Sequence, residues 1–369
     1  MKKISIAASV LVLTLAFNLA PSIVSAQSEK AEQVNQVPVS SDYERAKVTK
    51  IFREDLADNS SQEVEIKILT GPDTGKIFPM HHEFFKIQKS QKLEIGNEIV
   101  VSHSTDENGK PNYIFLEKYR LVGLFWSVMI FFAIGLIIGK RKTIGALIGL
   151  IITILILVYG IIPAVIAGAD PLFVTMIASV IITLALYISH GIHTRTHISV
   201  ASMLLSILVA IIAVYLFTYL SHLTGAATED VYFLQSGPLK NLDLKNLLMS
   251  GMILGALGVL DDVVTAQAAA VEELHRANNE FSWKQLYIRG MSIGREHIAS
   301  LINTLFLAYA GAAFAGIIMA ISSGVVPVWL ALNNEQLIEE IIRTIVGSTA
   351  LICAVPIATL IAARTFGKK

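Results

Sequence analysis

The chain has 369 residues, 54% of them hydrophobic and 16% charged, with a mean hydropathy of +0.62. Soluble domains carry about 25% charged residues, so this composition excludes a soluble enzyme of this size. Lys plus Arg and Asp plus Glu are 29 each, which leaves no basic surplus for nucleic acid. The single cysteine, Cys353, excludes an intramolecular disulfide and a thiolate zinc cluster.

The average conceals two compositions. From Gln27 to Arg120 charges are dense and no long apolar run occurs; from Leu121 onward charges fall mainly between hydrophobic stretches. Residues 1–26 read as a secretory signal: Lys2 and Lys3, an apolar core from Ile4 to Leu19, then Val24-Ser25-Ala26 as small residues before a cleavage point, the alternative being an uncleaved anchor. Residues 27–42 are a polar linker. Residues 43–120 predict an extracytoplasmic β-rich domain. Short alternating runs at 46–52, 62–70, 75–79, 98–103 and 113–117 are separated by the turn residues of Gly71-Pro72-Asp73, Gly96-Asn97 and Asn108-Gly109. Five such strands suit a small, OB-like barrel.

Seven apolar spans are predicted in residues 121–369, at 121–139, 144–162, 172–189, 198–220, 247–270, 298–322 and 344–363. With residues 27–120 outside, eleven basic residues fall on the cytoplasmic side, and only Lys240, Lys245 and Arg343 fall outside. The expected architecture is therefore a polytopic α-helical bundle in a bacterial cell membrane, its N-terminal domain outside and its C-terminus cytoplasmic. Glu335, Glu339 and Glu340 belong to the outer pieces on this scheme. The loop from Glu272 to His297 contains Ser282-Trp283-Lys284-Gln285, a capping-box pattern, followed by Leu286, Tyr287 and Met291 at helical spacing. It predicts an amphipathic helix lying in the inner interface and leading into the sixth span.

Asp261 and Asp262 are the charged residues placed within the hydrocarbon, where an aspartate costs ~2.5–3.5 kcal/mol on insertion scales. Gly251, Gly255, Gly258, Asp262, Thr265 and Ala269 form one helical stripe, and Gly251-x-x-x-Gly255 permits close helix approach. The aspartates are thus candidate proton or cation sites, with Thr265 a local partner and Asn303 on the sixth span a second one. The alternative is a buried polar clamp or an interfacial position. His190, His193 and His197 share a face only on an unbroken helix; they are either a transition-metal site or interfacial histidines, with Gly191 arguing for a turn. Gly71 to Lys76 departs from the phosphate-loop spacing and reads as a turn. No common hydrolase signature occurs, so neither enzymatic activity nor a cofactor is expected.

The run GMILGALGVLDDVVTAQAAAVEEL from Gly251, followed by GREHIASLINTLFLAYAGA, resembles the YibE/F family of bacterial multi-pass membrane proteins. Ser189-His190-Gly191 and the sequence leading into Tyr119-Arg120 also fit it. That resemblance implies a membrane fold and carries no particular activity. A weaker resemblance, to SecF and RND-type permeases, lies in the order of intramembrane Asp, Glu-rich turn, cytoplasmic helix and further span. It implies proton relay at Asp261, Asp262, Glu272 and Glu273, although here the outer domain precedes every span and no Arg separates the acidic positions. The expectation is a secondary transporter or proton-coupled permease component for a small-molecule or ion cargo, in which an oligomer is compatible with the bundle. The alternative is an envelope scaffold or assembly protein whose outer domain binds a partner.

Overall fold

The computed structural model describes residues 42–55, 59–85, 92–105, 111–237, 239–322 and 327–368. The expected signal segment and nearly all of the linker lie outside the described residues. The chain divides into two compact units, one containing the strands and the first helix, the other beginning at Gly139.

The first unit is built on a five-stranded antiparallel sheet: β1 (Asp42–Asp55), β2 (Asn59–Ile68), β3 (Ile77–Phe85), β4 (Glu98–Thr105) and β5 (Pro111–Lys118), in the order β3-β2-β1-β4-β5. Alternation dictates the buried face. Ala46 and Val48 pair with Ile68 and Ile66, and all four are fully buried with Val64, Ile99 and Val101. The strands are longer than their apolar cores because the ladders extend into polar flanks. The sheet curls into a half-barrel whose edge strands meet through rings, Phe78 on Tyr113 at 4.9 Å and His82 on Phe115 at 4.4 Å. Buried Gln62 acts as an extra ladder partner: its Nε2 donates to the Leu93 carbonyl (3.1 Å) and its Oε1 accepts from the Leu93 amide (2.8 Å).

The turn after β2 is fixed by Gly71 and Gly75, both at positive φ. It carries Asp73, which accepts from Lys76 Nζ (2.7 Å) and from the Tyr113 hydroxyl (3.0 Å). Lys76 first, and then the Tyr113 hydroxyl, hold the Asp73 carboxyl below its ordinary range; burial, with Asp73 second, pushes the Tyr113 phenol up.

The helices are α1 (Leu121–Lys140), α2 (Thr143–Ile166), α3 (Pro171–His190), α4 (Thr194–Leu220), α5 (Glu229–Ser236), α6 (Leu244–Ala277), α7 (Trp283–Ala312), α8 (Phe314–Ser322), α9 (Val328–Leu332) and α10 (Glu335–Phe366). Among the described residues six are long and apolar enough to cross a membrane: α1, α2, α3, α4, α6 and α10. The expected sixth span, 298–322, is not one uninterrupted helix. Its residues divide between α7 and α8 on either side of Ala313, and α7 begins much earlier, at Trp283. The Ser282–Gln285 capping box does form and opens α7, which runs on without a break to Ala312. Leu286, Gly290 and Gly294 are buried among α6 and α10, and Arg289, Arg295 and Glu296 shorten the apolar stretch available for a crossing.

In the second unit α10 is the central element, packed against α4, α6 and α7. More than half of the most apolar windows of α6 and α10, 56% in each, is buried, against 6% for α2. Glycines set the closest approaches. A Cβ at Gly145 or Gly149 on α2 would collide with Ser189 on α3. At Gly290 it would stand 2.8 Å from Thr359 Cγ2 and 2.9 Å from Val271 Cγ2, and at Gly294 it would strike Val355. Beside them Gln267 is fully buried, donating from Nε2 to the Gly290 carbonyl (2.8 Å) and to Thr359 Oγ1 (2.7 Å). Thr359 passes its own proton to the Val355 carbonyl (2.6 Å). The Gln267 carbonyl oxygen is buried without a hydrogen bond, which offsets part of the gain.

Two outcomes follow from this packing. Gly294→Val should lower the apparent melting temperature in detergent, with an overpacking penalty of about 1–3 kcal/mol. Gly258→Ala, where a Cβ meets nothing within 4 Å, should leave it unchanged or raise it. In the first unit, Asp73 has a depressed folded-state pKa, so its contribution is complete above the ordinary carboxylate range and is lost as pH falls through the folded value. The hydrogen-exchange protection of the 71–76 turn and β5 in the full chain, measured relative to the intrinsic rate at each pH, should therefore fall on acidification. In Asp73→Asn it should be low already at neutral pH and lose most of that acid response.

Candidate functional site

Asp261 and Asp262 lie well inside α6 but face differently. Asp261 is half-buried; the Thr265 hydroxyl reaches its carboxylate at 3.5 Å, the outer limit of a hydrogen bond, and His190 at the end of α3 lies within electrostatic reach. Asp262 is exposed on the bundle surface. Asn303 is exposed on α7, and among the described residues no hydrogen bond joins it to either aspartate. No ion pair engages either aspartate among the described residues.

The expected stripe of small residues is not the packed face of α6. That face is Met249, Met252, Ile253, Ala256, Leu260, Val264, Gln267 and Val271, displaced around the helix from the glycines. Gly251 and Gly255 make room for side chains rather than for a neighbouring backbone: a Cβ there would stand 3.3 Å from Arg343 Nη1 and 2.9 Å from the Tyr309 hydroxyl. Gly258 faces open space. The larger side chains make more close-packing contacts with the neighbouring helices, and they win the contact.

The three histidines are not gathered. α3 ends at His190, Gly191 turns at positive φ, and His193 is the N-cap of α4. His197 instead sits 2.8 Å from the Tyr187 hydroxyl through Nδ1. Among the described residues there is no group of three His, Cys, Asp or Glu able to hold a metal ion. Glu272 and Glu273, the acidic turn after the aspartates, are tied into ion pairs: Glu272 with Arg195 (2.9 Å) and Arg276 (2.7 Å), Glu273 with Arg276 (3.1 Å).

A second carboxylate cluster stands on α10, which starts at Glu335 and not near 344. Asn334 caps it, accepting from the Gln336 amide (3.0 Å). Glu335, Glu339 and Arg343 then recur one helical turn apart. Glu335 accepts from the Thr224 amide (2.5 Å), the Thr224 hydroxyl (2.8 Å) and the Gly225 amide (3.1 Å), pinning the segment that leaves α4. Arg343 Nε lies 3.3 Å from Glu340. Glu339 is only 9% exposed, and its Oε1 is buried without a hydrogen bond. Glu339, Glu340 and Arg343 line a cavity of about 460 Å³ whose remaining wall comes from the Gly225–Thr228 segment, from Leu248 and Gly251 of α6, and from the α7–α8 break with Gly316. Sequence reasoning placed Glu339 and Arg343 in a solvated outer piece. The available signal was periodicity: Glu339, Ile342 and Val346 continue one buried stripe into the apolar run.

The chain's sequence from residue 127 to 368 matches the family model described as YibE/F-like protein. No curated protein and no solved structure shows significant similarity to it. The match extends across α2 to α10 and takes in both carboxylate clusters, and it agrees with six helices apolar enough to span a bilayer. The chain is an integral membrane protein and belongs to the YibE/F-like family.

Proposed function

We propose that this protein is a secondary transporter or proton-coupled permease component, with Asp261 and Asp262 as the ion- or proton-carrying groups. The observation that carries the reading is a pair of adjacent carboxylates inside a 34-residue spanning helix, engaged by no ion pair among the described residues. A carboxylate kept in a membrane segment without a cation is expensive unless it can exchange its charge, and exchange of charge is what a carrier does. Asp261, half-buried near Thr265 and His190, is the principal group; Asp262 is the outward one. The orientation that goes with this proposal places residues 27–120 outside and the C-terminus in the cytoplasm, as the distribution of basic residues asks. The permease analogy supplies the role of the aspartates and nothing about the cargo.

A scaffold role has one feature in its favour. The edge strand β5 leaves Ile114 and Leu116 exposed on one face, 52% and 41%, where a partner in the envelope could pair or pack.

The test is proton flux in proteoliposomes under an imposed pH gradient and potential. Wild type should conduct above empty liposomes, and Asp261→Asn should lose that flux while retaining the wild-type melting temperature. Flux equal to wild type in both Asp261→Asn and Asp262→Asn would end the assignment of the carrier to α6.

A further inference from the structure

The cavity at the start of α10 is separate from the aspartates and has a distinct chemistry. Three charged side chains line it. Two of them, Glu340 and Arg343, face each other at 3.3 Å and neutralise one another. Glu339 makes no ion pair among the described residues, is nine-tenths buried, and has an oxygen that meets no donor. A buried carboxylate in that state needs a positive donor, and Arg343, whose Nε stands 3.3 Å from Glu340, gives Glu339 no hydrogen bond.

The walls decide what kind of donor. Calcium asks for six to eight oxygen ligands, and magnesium for near-ideal octahedral ones. Here the lining away from the charges is dominated by Leu247, Leu248, Leu337, Ala312 and Gly316. A space of about 460 Å³ is also far larger than a bare ion and falls in the range of small-molecule pockets. One carboxylate beside an apolar chamber matches a molecule with one cationic end and an apolar body. An ammonium group brings three N–H donors and a full charge to Glu339, while an alkyl chain covers the Leu and Ala surface.

The chamber is held open by the fold. Glu335 clamps Thr224 and Gly225, and Gly225 at positive φ lies so close to the Leu244 carbonyl that a side chain there would collide. Gly316 adds no side chain, and a Cβ there would first meet Leu337 Cδ2 at 3.8 Å. We infer that this cavity is a binding site for a small organic ammonium compound, with Glu339 as the charged anchor. The inference goes beyond the permease proposal and does not need it, because equilibrium binding is measured without flux.

The experiment uses the full chain in lipid nanodiscs and n-pentylammonium as the probe, at constant ionic strength. Binding is read by calorimetry and by the shift in melting temperature, with 1-pentanol, potassium and magnesium as parallel ligands. Wild type should bind pentylammonium, and Glu339→Gln should weaken it about tenfold or more, the loss of one charge-assisted contact. Gly316→Leu, which leaves every carboxylate in place and fills the chamber, should weaken it as well, so the result does not hang on the folding of one variant. Equal binding of pentanol, tighter binding of potassium or magnesium, or wild-type affinity in folded Glu339→Gln would each overturn the assignment.

Discussion

Helices in a bilayer gain little from hiding apolar side chains from one another, because lipid is as apolar as leucine; close contact and hydrogen bonds must hold them together. In this protein those two requirements meet at one place. Gly290 and Gly294 let α7 approach α6 and α10 closely enough for Gln267 to bond a carbonyl of one neighbour and a hydroxyl of the other. The placement of α10 follows from that node. Its register there decides that Glu335 reaches the Thr224 segment and that Glu339 turns inward with Ile342 and Val346.

The carboxylates of the second unit sort by what surrounds them. Glu272 and Glu335 are saturated, one by two arginines and the other by a backbone segment, and they work as fasteners. Glu339 and Asp261 are not saturated in this way. One borders a chamber, and the other has only a distant hydroxyl and a nearby histidine. Function is more economically lodged in the second kind, since a group already satisfied gains little by binding anything else.

Much of the architecture was legible. Alternation in Ala46–Val48 and Val64–Ile68 revealed both strands and their inward face, and apolar length revealed the spans outside 298–322. What escaped notice was tertiary. A glycine stripe signals that something approaches closely, but whether it is a helix backbone, as at Gly145, or a tyrosine hydroxyl, as at Gly255, depends on partners far away in sequence. The same holds for Glu339. Its charge argued for solvent on a local scale, and its position on the α10 stripe argued for burial; packing resolved the conflict in favour of the stripe. The histidines failed for a local reason, since Gly191 ends the helix that would have aligned them. Asp261 was legible as an acid within the apolar run of α6, whereas the exposure of Asp262 was not.

The central helix is also the one that follows all its partners along the chain. As the ribosome delivers α4, α6 and α7, the Gln267 amide and the bare backbone at Gly290 and Gly294 have no α10 to close over them. The membrane must hold a partial bundle with an open polar groove until α10 inserts. A chain interrupted before Glu335 would leave Gln267 without its Thr359 acceptor. The core of the second unit is closed only once α10 is in place.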